Sequence, residues 1–71
     1  MAIKIDPKNP YAYYNRGISY DRKCDYQSAI DNFTIAIELD PSKADFYHNR
    51  GFAYRKKQIF DKAIQDYTLA L

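Results

Sequence analysis

Tryptophan is absent from the 71 residues, cysteine, methionine and histidine occur once each, glycine twice and proline three times. The lone Cys24 excludes a disulfide within the chain and fits a reducing interior, so an intracellular, cytoplasmic location is expected. With one cysteine and one histidine there is no metal-ligand spacing, and no cofactor or metal is expected. A Gly-rich phosphate loop, CxxC, HExxH and a nucleophile elbow are all missing, so enzyme activity is not expected. No apolar run approaches the ~18 residues of a membrane span. The formal net charge of +2 is too small to argue for nucleic acid on electrostatics alone. Charges of both signs are interspersed, as on solvated helix faces. A chain this short makes at most one small domain with a modest core.

What the chain has in excess is tyrosine, eight of them beside four phenylalanines. Aromatics at this density mean large packed faces or a surface that grips a partner. Their positions are not random. "YYNRGISY" at 13–20 returns as "YHNRGFAY" at 47–54. The offset is about 34 residues, the period of helix–turn–helix repeat arrays. Asn15, Arg16 and Gly17 fall on Asn49, Arg50 and Gly51. Downstream, Ala29, Ile30, Thr34 and Ala36 fall on Ala63, Ile64, Thr68 and Ala70, and Asp6-Pro7 falls on Asp40-Pro41.

Each unit reads as two helices. Tyr13, Gly17, Tyr20 and Cys24 recur at three- and four-residue steps, as do Tyr26, Ala29, Ile30, Phe33 and Ile37, so each set lies on one helical face. The spacing predicts helices near 10–23, 26–39, 44–57 and 60–71. Asn9-Pro10 is an N-cap and first-turn pair, Asp25 a cap for the second helix, and Ser42 with Asp45 a capping-box-like start for the third. The Asp-Pro pairs stop the helices before them. Gly17 and Gly51 sit mid-helix, where glycine costs roughly 1 kcal/mol relative to alanine. The expected return is close approach of the paired helix at Ala29 or Ala63, with Tyr20 and Phe33, or Tyr54 and Tyr67, on either side.

This pattern resembles the tetratricopeptide repeat over essentially the whole chain. The family's eight signature positions fall on Tyr13, Arg16, Gly17, Tyr20, Ala29, Phe33, Ala36 and Pro41, and again on Tyr47, Arg50, Gly51, Tyr54, Ala63, Tyr67 and Ala70. The resemblance implies an all-α fold, a right-handed α-solenoid of antiparallel helical hairpins. Residues 1–6 would end a preceding repeat's second helix, 7–40 form one repeat, and 41–71 form a second that is truncated, so the chain is expected to be a fragment of a longer array. Two departures stand out. Tyrosine replaces the usual Trp at 13 and 47, and arginine replaces the usual Leu at 16 and 50. A cation on a packed face needs a partner. Asp66 is expected to serve Arg50, and Asn32 to serve Arg16.

The resemblance also implies a function: a protein-interaction scaffold whose concave groove is lined from the first helix of each unit. Candidate peptide-contacting residues are Tyr11, Tyr14, Asn15, Ile18 and Arg22 in the first unit, and His48, Asn49, Phe52, Arg55 and Lys56 in the second. One subfamily clamps a C-terminal carboxylate with an Asn at the positions of Asn15 and Asn49. Its Lys would fall on Tyr14 or His48 and its second Asn on Ile18 or Phe52, so the full clamp is not expected. Asp45 is the one obvious anion on this face, so an acidic, extended or short helical peptide is the expected partner. The alternative is a structural, self-associating module that forms a homo-oligomer through open repeat ends. Nucleic-acid contact, suggested by "RKK" at 55–57, ranks third.

Overall fold

Asn9 opens the first helix as expected. Its Oδ1 accepts the amide of Tyr11 at 3.0 Å, and Pro10 fills the first helical position, where no amide is missed. From there the computed structural model describes four helices: α1 (Pro10–Arg22), α2 (Tyr26–Leu39), α3 (Ala44–Lys56) and α4 (Phe60–Leu69). The described residues are 7–71, and the expectation for 1–6 lies outside them. No strand occurs among the described residues. Each helix packs on the next in sequence, and α1 touches α3 only sparsely.

The helix starts divide by unit. Asp25 caps α2 by accepting the amide of Ser28 at 3.3 Å. In the second unit, the equivalent cap positions hold Lys43 and Ile59, and neither side chain caps its helix. The expected Ser42–Asp45 box is not formed. The capping position is Lys43, one residue later, so Asp45 stands at the second helical position rather than the third. Ser42 turns back instead. Its amide and hydroxyl both donate to Asp40 Oδ1, at 3.1 and 2.6 Å, which holds the Asp40 carboxyl below its ordinary range.

The helix ends repeat more faithfully. α1 and α3 stop one residue before the expected bounds because Cys24 and Gln58 adopt left-handed backbone, with φ of 62° and 64°. Both ends are Schellman turns: the amide of Asp25 donates to the carbonyl of Tyr20, and that of Ile59 to Tyr54, each at 2.9 Å. α4 ends at Leu69, short of the expected residue 71.

The described helices extend 36 × 26 × 12 Å, a thin slab with room for little interior. Phe33 and Phe46 are its largest fully buried side chains. α2 supplies most of the core, through Ala29, Ile30, Phe33, Ala36 and Ile37, packed between α1 on one side and α3 on the other. The two glycines do different work. A Cβ on Gly17 would lie 2.6–3.1 Å from the Phe33 ring, so Phe33 is the side chain that closes on it. A Cβ on Gly51 would meet Asp66 Cβ and the Tyr67 ring at 3.1 Å and the Ala63 carbonyl at 3.2 Å, which is the close helix contact expected at Ala63.

Candidate protein-binding surface

The arginines that depart from the usual leucine are structural. Arg50 makes a two-pronged ion pair with Asp66, Nε to Oδ2 and Nη2 to Oδ1, both at 2.8 Å. Asp66 is buried, and the pair holds the Arg50 guanidinium above its ordinary pKa, so it stays charged. Its remaining arm reaches across to α2, where Thr34 Oγ1 accepts at 3.3 Å. The guanidinium also lies 5.9 Å from the ring centroids of both Tyr47 and Tyr54. In the first unit Arg16 donates to Asn32 Oδ1 at 2.6 Å and lies over Tyr13. Both expected partners are therefore in place. Tyr13 beside Arg16, and Tyr47 and Tyr54 beside Arg50, explain part of the aromatic excess, because each gives a cation a π face.

Of the ten candidate binding residues, Tyr14 and Asn49 are drawn into the fold. Tyr14 is half-buried against Phe33 and Phe46, at ring-centroid distances of 5.8 and 5.0 Å. Its hydroxyl accepts the Asn49 amide at 2.8 Å, which ties the two units together. Burial, reinforced by the charge of Asp45, pushes the Tyr14 phenol above its ordinary pKa. Ile18 is half-buried and packs against the core cluster of Ala29, Ile30, Phe33 and Ala53. Tyr11 is exposed, with its ring edge-on to Tyr14 and Phe46. His48 is exposed, and its ring faces Tyr67 on α4 at 5.6 Å. Phe52 is half-buried beneath the Lys56 ammonium, 5.1 Å from the ring centroid. Asn15, Arg22 and Arg55 are exposed.

Sequence reading missed two side chains that join the units: Thr34, which accepts from Arg50, and Gln27, whose Oε1 accepts from the Lys57 ammonium. Both lie on α2, and the signal for them was the unit offset itself, which brings α3 onto α2.

The hairpin order, the small residues at the crossings and the aromatic–arginine stacks coincide with two family matches. The family model described as Tetratricopeptide repeat matches residues 10–43, and a second of the same description matches 32–65. The chain belongs to the tetratricopeptide repeat family. Its first match takes in α1 and α2, and its second begins inside α2 and runs through α3 into α4. The α2–α3 contact thus falls within a family unit just as the α1–α2 hairpin does. Tetratricopeptide repeats generally act as protein-interaction scaffolds and not as enzymes. No curated protein matches the chain. No helix of the described residues is long and apolar enough to cross a membrane, and none of their His, Cys, Asp and Glu side chains form a group of three that could hold a metal.

Proposed function

We propose that this tetratricopeptide chain holds a peptide segment of another protein along the surface shared by α1 and α3. One observation carries the reading: like side chains recur one unit apart on the two helices. Asn15 and Asn49, Ile18 and Phe52, and Arg22 and Lys56 form three such pairs. A carboxamide donates and accepts at once and so suits an extended backbone. Ile18 and Phe52 offer apolar area, while Arg22, Arg55 and Lys56 favour an acidic segment and speed its encounter. So few repeats hold it weakly. The lone, exposed Cys24 suits a reducing, cytoplasmic setting.

Asn49 already donates to Tyr14, so Asn15, which is exposed, is the cleaner probe. Fluorescence anisotropy of short dye-labelled acidic peptides, with basic peptides as controls, tests the reading. Binding of the acidic set is expected to fall several-fold in Asn15→Ala, to fall further in Arg22→Glu with Lys56→Glu, and to stay unchanged in Asp61→Ala. Equal binding of acidic and basic peptides would contradict it.

A second reading, self-association, is favoured by the edge of the array. Ile64 occupies the position of Ile30 one unit on, yet it is 65% exposed where Ile30 is 5% exposed. Phe60 and Leu69 are exposed beside it. Exposed apolar faces of this kind mark partner sites.

A further inference from the structure

We propose that the exposed face of α4 is the seat for α1 of a second copy of this chain, docked head to tail in the register that α3 keeps on α2. The proposal rests on the self-association reading and names its partner and polarity.

The chain supplies its own template. α3 covers α2 through three polar ties: Arg50 to Thr34, Lys57 to Gln27, and Asn49 to the Tyr14 hydroxyl on α1 behind it. One unit further on, the acceptors become Thr68, Asp61 and His48. One unit back, the donors become Arg16, Lys23 and Asn15. Every tie survives the shift. Arg16 meets an identical threonine, Asn15 meets an imidazole nitrogen that can accept, and the Lys23–Asp61 pair replaces a charge–dipole contact with an ion pair.

The apolar contacts shift as well. Ala53 of α3 packs in a cluster with Ala29, Ile30 and Phe33. Its counterpart on α1 is Ser19, exposed and small, and the counterparts on α2's side are Ala63, Ile64 and Tyr67. α4 offers a shallow hollow lined by Ile64, Gln65, Thr68 and Leu69 to receive it. Ala12 stands where α3 carries the buried Phe46, so the contact between copies is weaker than the one within the chain. α1 and α4 lie at opposite ends of the helix order and do not touch. The contact is therefore heterologous: each docking leaves a fresh α4 face, and assembly stays open-ended rather than closing at a dimer.

Sedimentation equilibrium of the full chain tests this with one tail-blocked and one head-blocked variant. Ile64→Lys blocks the tail and Ser19→Arg the head, both at exposed positions. Wild-type mass is expected to rise with concentration without a plateau at dimer. Each variant alone is expected to remain monomeric, and their equimolar mixture to form a one-to-one dimer and stop there. If either variant melts below the wild type, Lys23→Glu and Asp61→Lys replace them. Each alone weakens association roughly three- to ten-fold, and the mixture restores it. A monomeric wild type would overturn this proposal and the self-association reading together. A wild type that associates while Ser19→Arg associates equally well, or while the blocked mixture stays monomeric, would overturn only the head-to-tail register. That result would point to an α4-to-α4 contact.

Discussion

Arg50 sits where the family usually packs a leucine, and its carboxylate partner Asp66 is buried. Removing one member of such a pair leaves the other uncompensated, which costs about 3–5 kcal/mol for a buried ion, whereas replacing both with apolar groups is often neutral. Arg50→Leu is therefore expected to lower stability by at least ~2 kcal/mol, allowing for the partial exposure of the guanidinium. Most of that loss should return in Arg50→Leu with Asp66→Leu. Arg16→Leu should cost less, because its partner Asn32 is neutral and keeps a bond of its own to the Ser28 carbonyl at 2.8 Å. Urea unfolding of the three variants checks the order, and an Arg16→Leu cost equal to that of Arg50→Leu would contradict it. The glycines give a second comparison. Gly17→Ala gains ~1 kcal/mol of helix propensity, but it drives a methyl into the fully buried Phe33 ring, so a net loss of roughly 1–3 kcal/mol is expected. The methyl of Gly51→Ala would meet its neighbours less closely, at 3.1–3.2 Å, and the variant should lose less. Thermal melts that rank the two in the opposite order would show that Phe33 relaxes freely. Both arginine partners were readable from sequence, because a cation on a packed face demands an acceptor on the facing helix and few candidates exist there. The Tyr14–Asn49 bond was not. Periodicity places each side chain on a helix face, and this bond forms at the seam between units, where faces meet at angles that periodicity does not specify.

At the scale of the helix, the two units share their ends and differ in their starts. α1 and α2 carry side-chain caps, while α3 and α4 carry none. Lys43→Asn places a capping side chain where Asn9 stands in the first unit, and a gain of about 0.5–1 kcal/mol is expected. Gln58 holds a left-handed conformation that glycine adopts without a Cβ penalty, so Gln58→Gly is expected to be neutral or stabilising by up to ~1 kcal/mol. Denaturant midpoints check both, and a loss in Gln58→Gly would mean that its side chain contributes packing of its own. Helix existence and order followed from the three- and four-residue spacing of Tyr13, Gly17 and Tyr20 and of Ala29, Ile30 and Phe33. The third helix starts one residue later than its composition suggests, because Ser42 and Asp45 form a capping-box pattern one residue out of frame. Which of two adjacent residues adopts extended backbone depends on the Asp40 turn, and local composition does not report it.

Across the whole molecule, the two proposals call on two surfaces that meet at Asn15. The first is the side shared by α1 and α3, where paired carboxamides, apolar side chains and cations recur one unit apart. The second is the outer face of α4, whose equivalent on α2 is covered by α3. The repeat made both legible, since any contact between units in the chain has a counterpart one offset away. Which of the candidate residues the fold keeps for itself was not legible, because Tyr14 shares a helical face with Asn15 yet turns inward onto Phe33 and Phe46. The central claim, that partners bind along α1 and α3, is tested most directly by an NMR titration. The isotope-labelled chain, diluted below its own association range, is titrated with a short acidic peptide while backbone and side-chain amide shifts are followed. Shifts are expected to concentrate on Asn15, Ile18, Arg22, Asn49, Phe52 and Lys56. Shifts confined to Gln27, Asp31, Asp61 and Gln65 on α2 and α4, with Asn15 and Asn49 silent, would contradict it.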